Sequence, residues 1–549
     1  MKRALFIYFL IAVALFSSTW IDPAGSLIGT PKDPKLFVWY LGWLPHELSL
    51  GHNPLFTDYL SYPSGVNLMW NTSMIFPALL LWPVTAAFGP VVAYNFLITA
   101  GLALSAWFGF LAARRFIDSE PACFAAGLLY GFSPALIAQA LGHPHVVVAL
   151  FPPIALVLGH EILVRRRMNP VVAGAIAGVA AALQLLTGEE LLAMTLLVAA
   201  IGVAVLALLH RDQVRPVLPV AGTATGAAIV SFALITAIPL SFQFFGPQTV
   251  SGNVQQPDVY VSDLLAFALP SNLIHFTGNT TENGAFIGLP LLVLFIAGLV
   301  IGRKQGWIQW TGWMTLIVAV LSLGPHLHVN GNVTPAWLPW AAVAKLPLMG
   351  SALPARLMVI GWLGDAIVVA AIIAVAIKGS RRWRIATGAV LIAGLAAIFP
   401  SVPYPSVSAT VPAYFRPGGD VEKVAPGSVV LITPFSSKKS TDAMLWQAAA
   451  NYRFRMPEGD AFTPGPYLGP HPSFLQKTLD EMDANQQPVA VTPEVRTMTA
   501  ADLQTFRVAF IVAGPSPGRA AIVAFWTEFV GNGPRADGGV DVWELARVH

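Results

Sequence analysis

Apolar runs recur through the first 400 residues of this 549-residue chain, separated by short loops that carry arginine and lysine. A run of roughly 17–25 apolar residues matches the hydrocarbon thickness of a bilayer. Once such runs repeat, every backbone polar group inside them must be satisfied internally, so helices are the expected solution. The runs lie near residues 4–20, 90–113, 121–140, 145–164, 170–187, 189–209, 216–240, 285–301, 307–324, 351–377 and 384–400. Composition agrees: 55% of residues are hydrophobic and 11% charged, against about 25% charged in soluble domains. The formal net charge of +3 is too small to imply a nucleic-acid partner. The lone Cys123 excludes an intrachain disulfide and a cysteine-based metal site.

Basic residues orient the runs. Lys2/Arg3, Arg114/Arg115, Arg165–Arg167, Arg211/Arg215, Arg303/Lys304 and Lys378/Arg381/Arg382/Arg384 all fall on one side if about eleven helices cross. This predicts a polytopic, mainly α-helical bundle in the cell membrane, with a cytoplasmic N-terminus. The opening MKRALFIYFLIAVALFSSTW is read as an uncleaved first span, since no small-x-small cleavage site follows cleanly. Run 74–89 breaks the regularity. A crossing there would place Arg114 and Arg115 outside, and Pro77 and Pro83 interrupt it, so it is expected to lie along or dip into the outer face. Segment 36–48, with Phe37, Leu41, Leu44 and Leu48 on one face and Trp39, Trp43 and His46 on another, reads as a second interfacial helix.

The expected organisation is a membrane domain over 1–400, with long outer loops 21–89 and 241–284, and an extracytoplasmic α/β domain over 401–549. In the latter, 427–435, 506–514 and 540–546 read as strands, and 473–482 and 519–530 as helices. No internal repeat of the kind common in transporters appears.

Polar side chains gather where the predicted outer side lies. Asp33 follows the first span and precedes proline, so it is either a functional carboxylate or a residue that starts a turn or caps a helix. Arg356 lies at an outer helix end, either as a phosphate ligand or as a headgroup anchor, with Lys345 nearby in sequence. Glu189 and Glu190 mark a tight hairpin, where they would bind a divalent cation or acceptor hydroxyls, or favour a helix dipole. Glu282, His46, His143 and His326 are candidates for substrate binding. The His143/His145 and His326/His328 pairs lack an evident third ligand, so no metal site is assigned to them. Asp365, mid-span, is a functional hypothesis of its own and would suit a proton relay.

The phrases GHNPLFTDYLSYPSGVNLMWNTS, FQFFGPQ, TENGAFIGLPLL, LSLGPHLHVNG and LPARLM resemble actinobacterial multispanning proteins described as glycosyltransferases. The plan of one span, a large outer loop with an early acid, many spans and an outer C-terminal domain resembles the GT-C superfamily. That resemblance implies a membrane enzyme using a polyprenyl-phosphate sugar donor and a cell-envelope glycan or glycolipid acceptor. It implies Asp33 as the base; the chemistry of guanidinium then makes Arg356, helped by Lys345, the candidate to hold the donor phosphate. Need for a divalent cation stays open. Two other classes remain in view: a lipid or polysaccharide transporter or flippase, and a non-catalytic envelope scaffold.

Overall fold

The computed structural model describes residues 1–545 except 254–257, 277–281, 283, 348, 437–439, 466–467 and 470. Parts of loop 241–284 and the last residue of the expected strand 540–546 thus lie outside the described residues. The chain is mainly helical, and each of the eleven apolar runs contains a helix. Helices over 90–113, 120–139, 144–165, 189–209, 211–245 and 354–378 are each long and apolar enough to cross a membrane. Others are shorter: Lys2–Leu15 has 14 residues and Leu289–Ile301 has 13. Run 74–89 forms two short helices, Ile75–Leu80 and Trp82–Phe88, which meet at Leu81 ahead of Pro83. At 1.5 Å per residue neither approaches a span.

The chain forms two compact units whose boundaries ignore sequence order. The first gathers residues 1–20, 96–237 and 252–405; the second gathers 21–95, 238–251 and 406–549.

In the first unit, small residues let helices approach closely. A Cβ at Gly174 would lie 2.0 Å from the Ala224 carbonyl oxygen, and one at Gly178 would lie 2.1 Å from that of Ala228. This is the small-xxx-small packing that replaces hydrophobic driving force where the solvent is itself apolar. Arg115, read from sequence as a topology signal, is also one half of a buried ion pair with Glu161. Glu161 further accepts from the Arg167 and Met168 backbone amides at 2.7 and 3.1 Å.

The second unit contains a four-stranded sheet in the order Val430–Thr433, Phe510–Ala513, Val540–Glu544, Arg535–Asp537. The first pair is parallel and the other two are antiparallel. Helices Phe474–Asn485, Pro493–Phe506 and Arg519–Val530 cover it. Leu431, Ile511, Leu479, Met482, Trp526 and Trp543 form the core between them.

Helix Asp33–Ser49 belongs to this unit and packs on helix Asp442–Ala449. Both of its faces are covered by protein over most of its length, with Phe37, Leu41, Leu44, Trp39 and Trp43 buried and only Leu48, at its end, exposed among the apolar residues of the two faces. The reading of a helix bedded on a membrane surface by one face is therefore corrected. Trp39 donates from its indole to Gln447 at 2.7 Å, and the Tyr452 hydroxyl donates to the Trp39 carbonyl at 2.8 Å. Nearby, Met456 and Glu458 exchange backbone hydrogen bonds with residues 59–62, tying the first long loop to the C-terminal segment. Strand Ser26–Ile28 likewise pairs antiparallel with Ser406–Ser408.

Candidate active site

Two polar clusters stand out, one in each unit. In the second unit, Asp33 opens helix Asp33–Ser49, and its carboxylate is suited to the positive end of the helix dipole. Pro34 at the second position is tolerated because N–H groups in the first turn have no intrahelical acceptor, so the one that proline lacks is not missed. The side chain is 32% exposed, open enough to meet a ligand. Lys32 Nζ lies 3.9 Å from Asp33 Oδ1 and 3.0 Å from Asp460 Oδ2. One turn along, the nearly buried Lys35 pairs with Asp442 Oδ1 at 2.5 Å. Ser440 donates to the other Asp442 oxygen at 2.9 Å, and the Thr441 hydroxyl donates to the Lys32 carbonyl at 2.6 Å. Lys32 thus serves two carboxylates, Asp33 and Asp460, and Lys35 a third, Asp442.

Glu458 lies two residues from Asp460 and is buried, taking a long 3.4 Å bond from the Ile432 amide on Oε1. Its Oε2 has no partner among the described residues. Burial pushes this carboxyl well above the usual carboxylate range.

His46 shares the helix of Asp33 but sits near its other end, about 20 Å away along the axis. Its ring packs against Tyr452 with centroids 4.9 Å apart and lies 3.7 Å from Glu47. Burial lowers its pKa, against the opposing hydrogen bond with Asn451. It therefore belongs to an aromatic nest and not to the Asp33 cluster.

In the first unit, Arg356 is the hub. Its Nε and Nη2 donate to the two oxygens of Glu282 at 2.9 and 2.6 Å, a bidentate fork, while Nη1 pairs with Glu190. Glu190 also accepts the Leu353 amide at 2.6 Å. Gln139 donates to Glu282 at 2.8 Å, and His143 Nε2 lies 3.5 Å from the same carboxylate. Burial would raise the Glu282 pKa, but the Arg356 charge, with His143 and Gln139, outweighs it and holds this carboxyl at about 2. Glu189 adjoins the cluster as the first residue of helix Glu189–Leu209.

Four of the sequence candidates (Arg356, Glu190, Glu282 and His143) thus converge in space. His326 does not join them: its Nδ1 pairs with Asp258 at 2.9 Å, and His328 lies 3.7 Å from the same carboxylate. Lys345 is exposed on the turn after helix Trp340–Val343 and makes no ion pair among the described residues. Among the described residues no group of three or more His, Cys, Asp or Glu side chains is placed to hold a metal ion.

Sequence reasoning passed over Gln139, Lys32, Lys35, Asp442 and Asp460. Asp442 and Asp460 lie some 400 residues from their lysines in the chain, and no local pattern joins them. An unusually buried lysine beside a Pro-preceding Asp was the available signal, but burial is not written in the sequence.

The fold, apolar helices in one unit and a mixed α/β sheet in the other, is shared with solved glycosyltransferase structures. In particular, the chain is similar over its whole length to the mycobacterial arabinofuranosyltransferase AftD, with a TM-score of 0.61 and 16% identity. It spans 40% of that protein's length. Over 93% of its length it is similar to an oligosaccharyltransferase from Archaeoglobus fulgidus, with a TM-score of 0.50 and 14% identity, covering 68% of that chain. No protein-family model matches the sequence, and no curated protein is similar to it in sequence.

Proposed function

We propose that the protein is an integral membrane glycosyltransferase that moves a sugar from a polyprenyl-phosphate donor to a cell-envelope glycan or glycolipid. One observation carries the reading: a GT-C fold that presents a partly exposed carboxylate, Asp33, at the start of the first helix after the N-terminal span. The archaeal oligosaccharyltransferase AglB has been captured with dolichol-phosphate, and AftD is an arabinofuranosyltransferase. The first supports a lipid-linked donor class for this chain, and the second supports sugar transfer.

In the proposed reaction an acceptor hydroxyl attacks the anomeric carbon, and its proton passes to Asp33. The bond from that carbon to the donor phosphate breaks, and the lipid phosphate leaves with the electron pair. A single displacement inverts the anomeric centre. Within its own unit, Arg356 is proposed to keep its fork on Glu282 and to exchange Glu190, held through Nη1 alone, for the donor phosphate, a role that suits a planar, permanently charged donor. Its charge is already matched by two carboxylates, so this exchange is a requirement of the reading. Glu190, Glu189 and His143 would then line the sugar or acceptor side, and no step is assigned to a metal ion. In this reading the chemistry lies at the outer membrane–water boundary, on the side opposite the basic loops.

The test is transfer from radiolabelled polyprenyl-phosphate sugars to envelope glycan acceptors by wild type and Asp33→Asn. Wild-type transfer that falls at least about 100-fold in the variant is expected, within the range for losing a general base. Equal transfer by both would remove Asp33 from the chemistry. Movement of labelled lipid across the bilayer without transfer would replace the reading with a transporter.

A further inference from the structure

The first turn of the helix that carries Asp33 is held from three directions by the C-terminal part of the same compact unit. Asp460 takes Lys32 at 3.0 Å, Asp442 takes Lys35 at 2.5 Å, and the Thr441 hydroxyl donates to the Lys32 backbone carbonyl at 2.6 Å. These contacts bracket Asp33 on both sides in sequence and fix main chain as well as side chains. Lower on the helix, Gln447 and Tyr452 hold Trp39 by its indole and its carbonyl. Five polar contacts to one helix, two of them to its backbone, exceed what cohesion of an already apolar interface needs. Two of the contacts are ion pairs, and the Lys35 ammonium is nearly buried. Such a pair is weak as a source of net stability, because desolvation offsets its attraction, but it is demanding in geometry.

We infer that Thr441, Asp442 and Asp460 are positioning residues for Asp33: the C-terminal part of this unit clamps the turn that carries the proposed base and so sets its reach toward the acceptor hydroxyl. Lys32 extends the same device, since one ammonium faces both Asp33 and Asp460. The inference rests on the reading of Asp33 as base for its effect on catalysis, but not for its effect on the helix. A misplacement of about 1 Å at a reacting group costs on the order of 100-fold in rate, so a clamp of this kind acts on turnover and leaves substrate affinity nearly alone.

The experiment pairs hydrogen exchange with kinetics on the full-length protein in detergent, comparing wild type with Asp442→Asn, Thr441→Val and Asp442→Glu. Expected are faster exchange of amides 33–40 in Asp442→Asn and Thr441→Val, with strands Val430–Thr433 and Phe510–Ala513 still protected. With them should come a fall in kcat of about 10- to 100-fold at unchanged KM, partly restored in Asp442→Glu. Unchanged exchange at 33–40 overturns the clamp whatever the kinetics show. Faster exchange with kcat within about twofold of wild type, against an effect on the order of 100-fold, overturns the positioning role. If Asp33→Asn keeps full activity while exchange responds, the base assignment fails and the clamp stands as a structural device only.

Discussion

At the scale of single residues, the two units use buried carboxyl groups in opposite ways. Glu282 is compensated by a bidentate guanidinium, and its folded pKa lies below the unfolded value. Its contribution to stability is present above about pH 4.5 and is lost as pH falls towards about 2. Replacing Arg356 with methionine would leave the buried Glu282 and the half-buried Glu190 without their cation. A loss of about 3–5 kcal/mol is expected, seen as a lowered melting midpoint at pH 7 that partly recovers at pH 4, where the carboxyls take up protons.

Glu458 shows the reverse sign. Its folded pKa is raised by burial, so the folded state holds a proton that the unfolded state gives up. Stability from this group is present below the unfolded pKa and is lost as pH rises towards the folded one. Glu458→Gln keeps an acceptor for the Ile432 amide and removes the ionisation. A gain of about 1–3 kcal/mol is expected at pH 8, the scale of an unsatisfied buried polar group, with little change at pH 4. Melting curves across that range check it, and equal effects at both ends would contradict the burial argument.

Elements in this chain are specified by two different kinds of signal. The long apolar helices follow from composition alone, and runs such as 90–113 and 189–209 reappear as helices with nearly the same ends. Helix Asp33–Ser49 shows where local reading falls short. Its apolar and aromatic residues were visible in sequence, but two apolar faces on a 17-residue helix fit a membrane surface and a protein core equally well. Only the partner helix Asp442–Ala449 decides between them. Sequence reasoning passed over helix Asp442–Ala449, whose eight residues are too few to show a period and are buried at six positions, and helix Pro493–Phe506, which buries only Thr499 and Leu503.

Packing between elements is tested best where no side chain fits. Gly178→Val would drive branched carbons against the Ala228 carbonyl and the Ser231 hydroxyl, both 2.1 Å from an ideal Cβ. Helices Pro170–Leu185 and Arg211–Phe245 would have to separate, at a cost of about 1–3 kcal/mol or more. Earlier proteolysis in the loop between helices 189–209 and 211–245 and a lower melting midpoint are the expected readouts. A variant that melts like wild type would show that this contact contributes little.

On the scale of the whole molecule, chain order and spatial order part company. The first long loop joins the C-terminal quarter of the chain in one compact unit, and residues 1–20, 96–237 and 252–405 form the other. Hydrophobic runs, basic flanks and the approximate places of the α/β elements could be read from the chain because they depend on neighbouring residues: a helix closes its hydrogen bonds within four residues, and a span is measured against a fixed hydrocarbon thickness. Sequence also flagged Asp33, Arg356, Glu190, Glu282 and His143 as residues an apolar chain has little reason to keep. Their partners were decided by tertiary structure alone. Arg356 meets Glu190 and Glu282 across 166 and 74 residues, and Lys35 meets Asp442 across 407. An isolated charge in a sequence says that compensation must exist, since a bare buried ion is too costly. Which distant residue supplies it depends on how the helices stack, and that follows from packing along the whole chain.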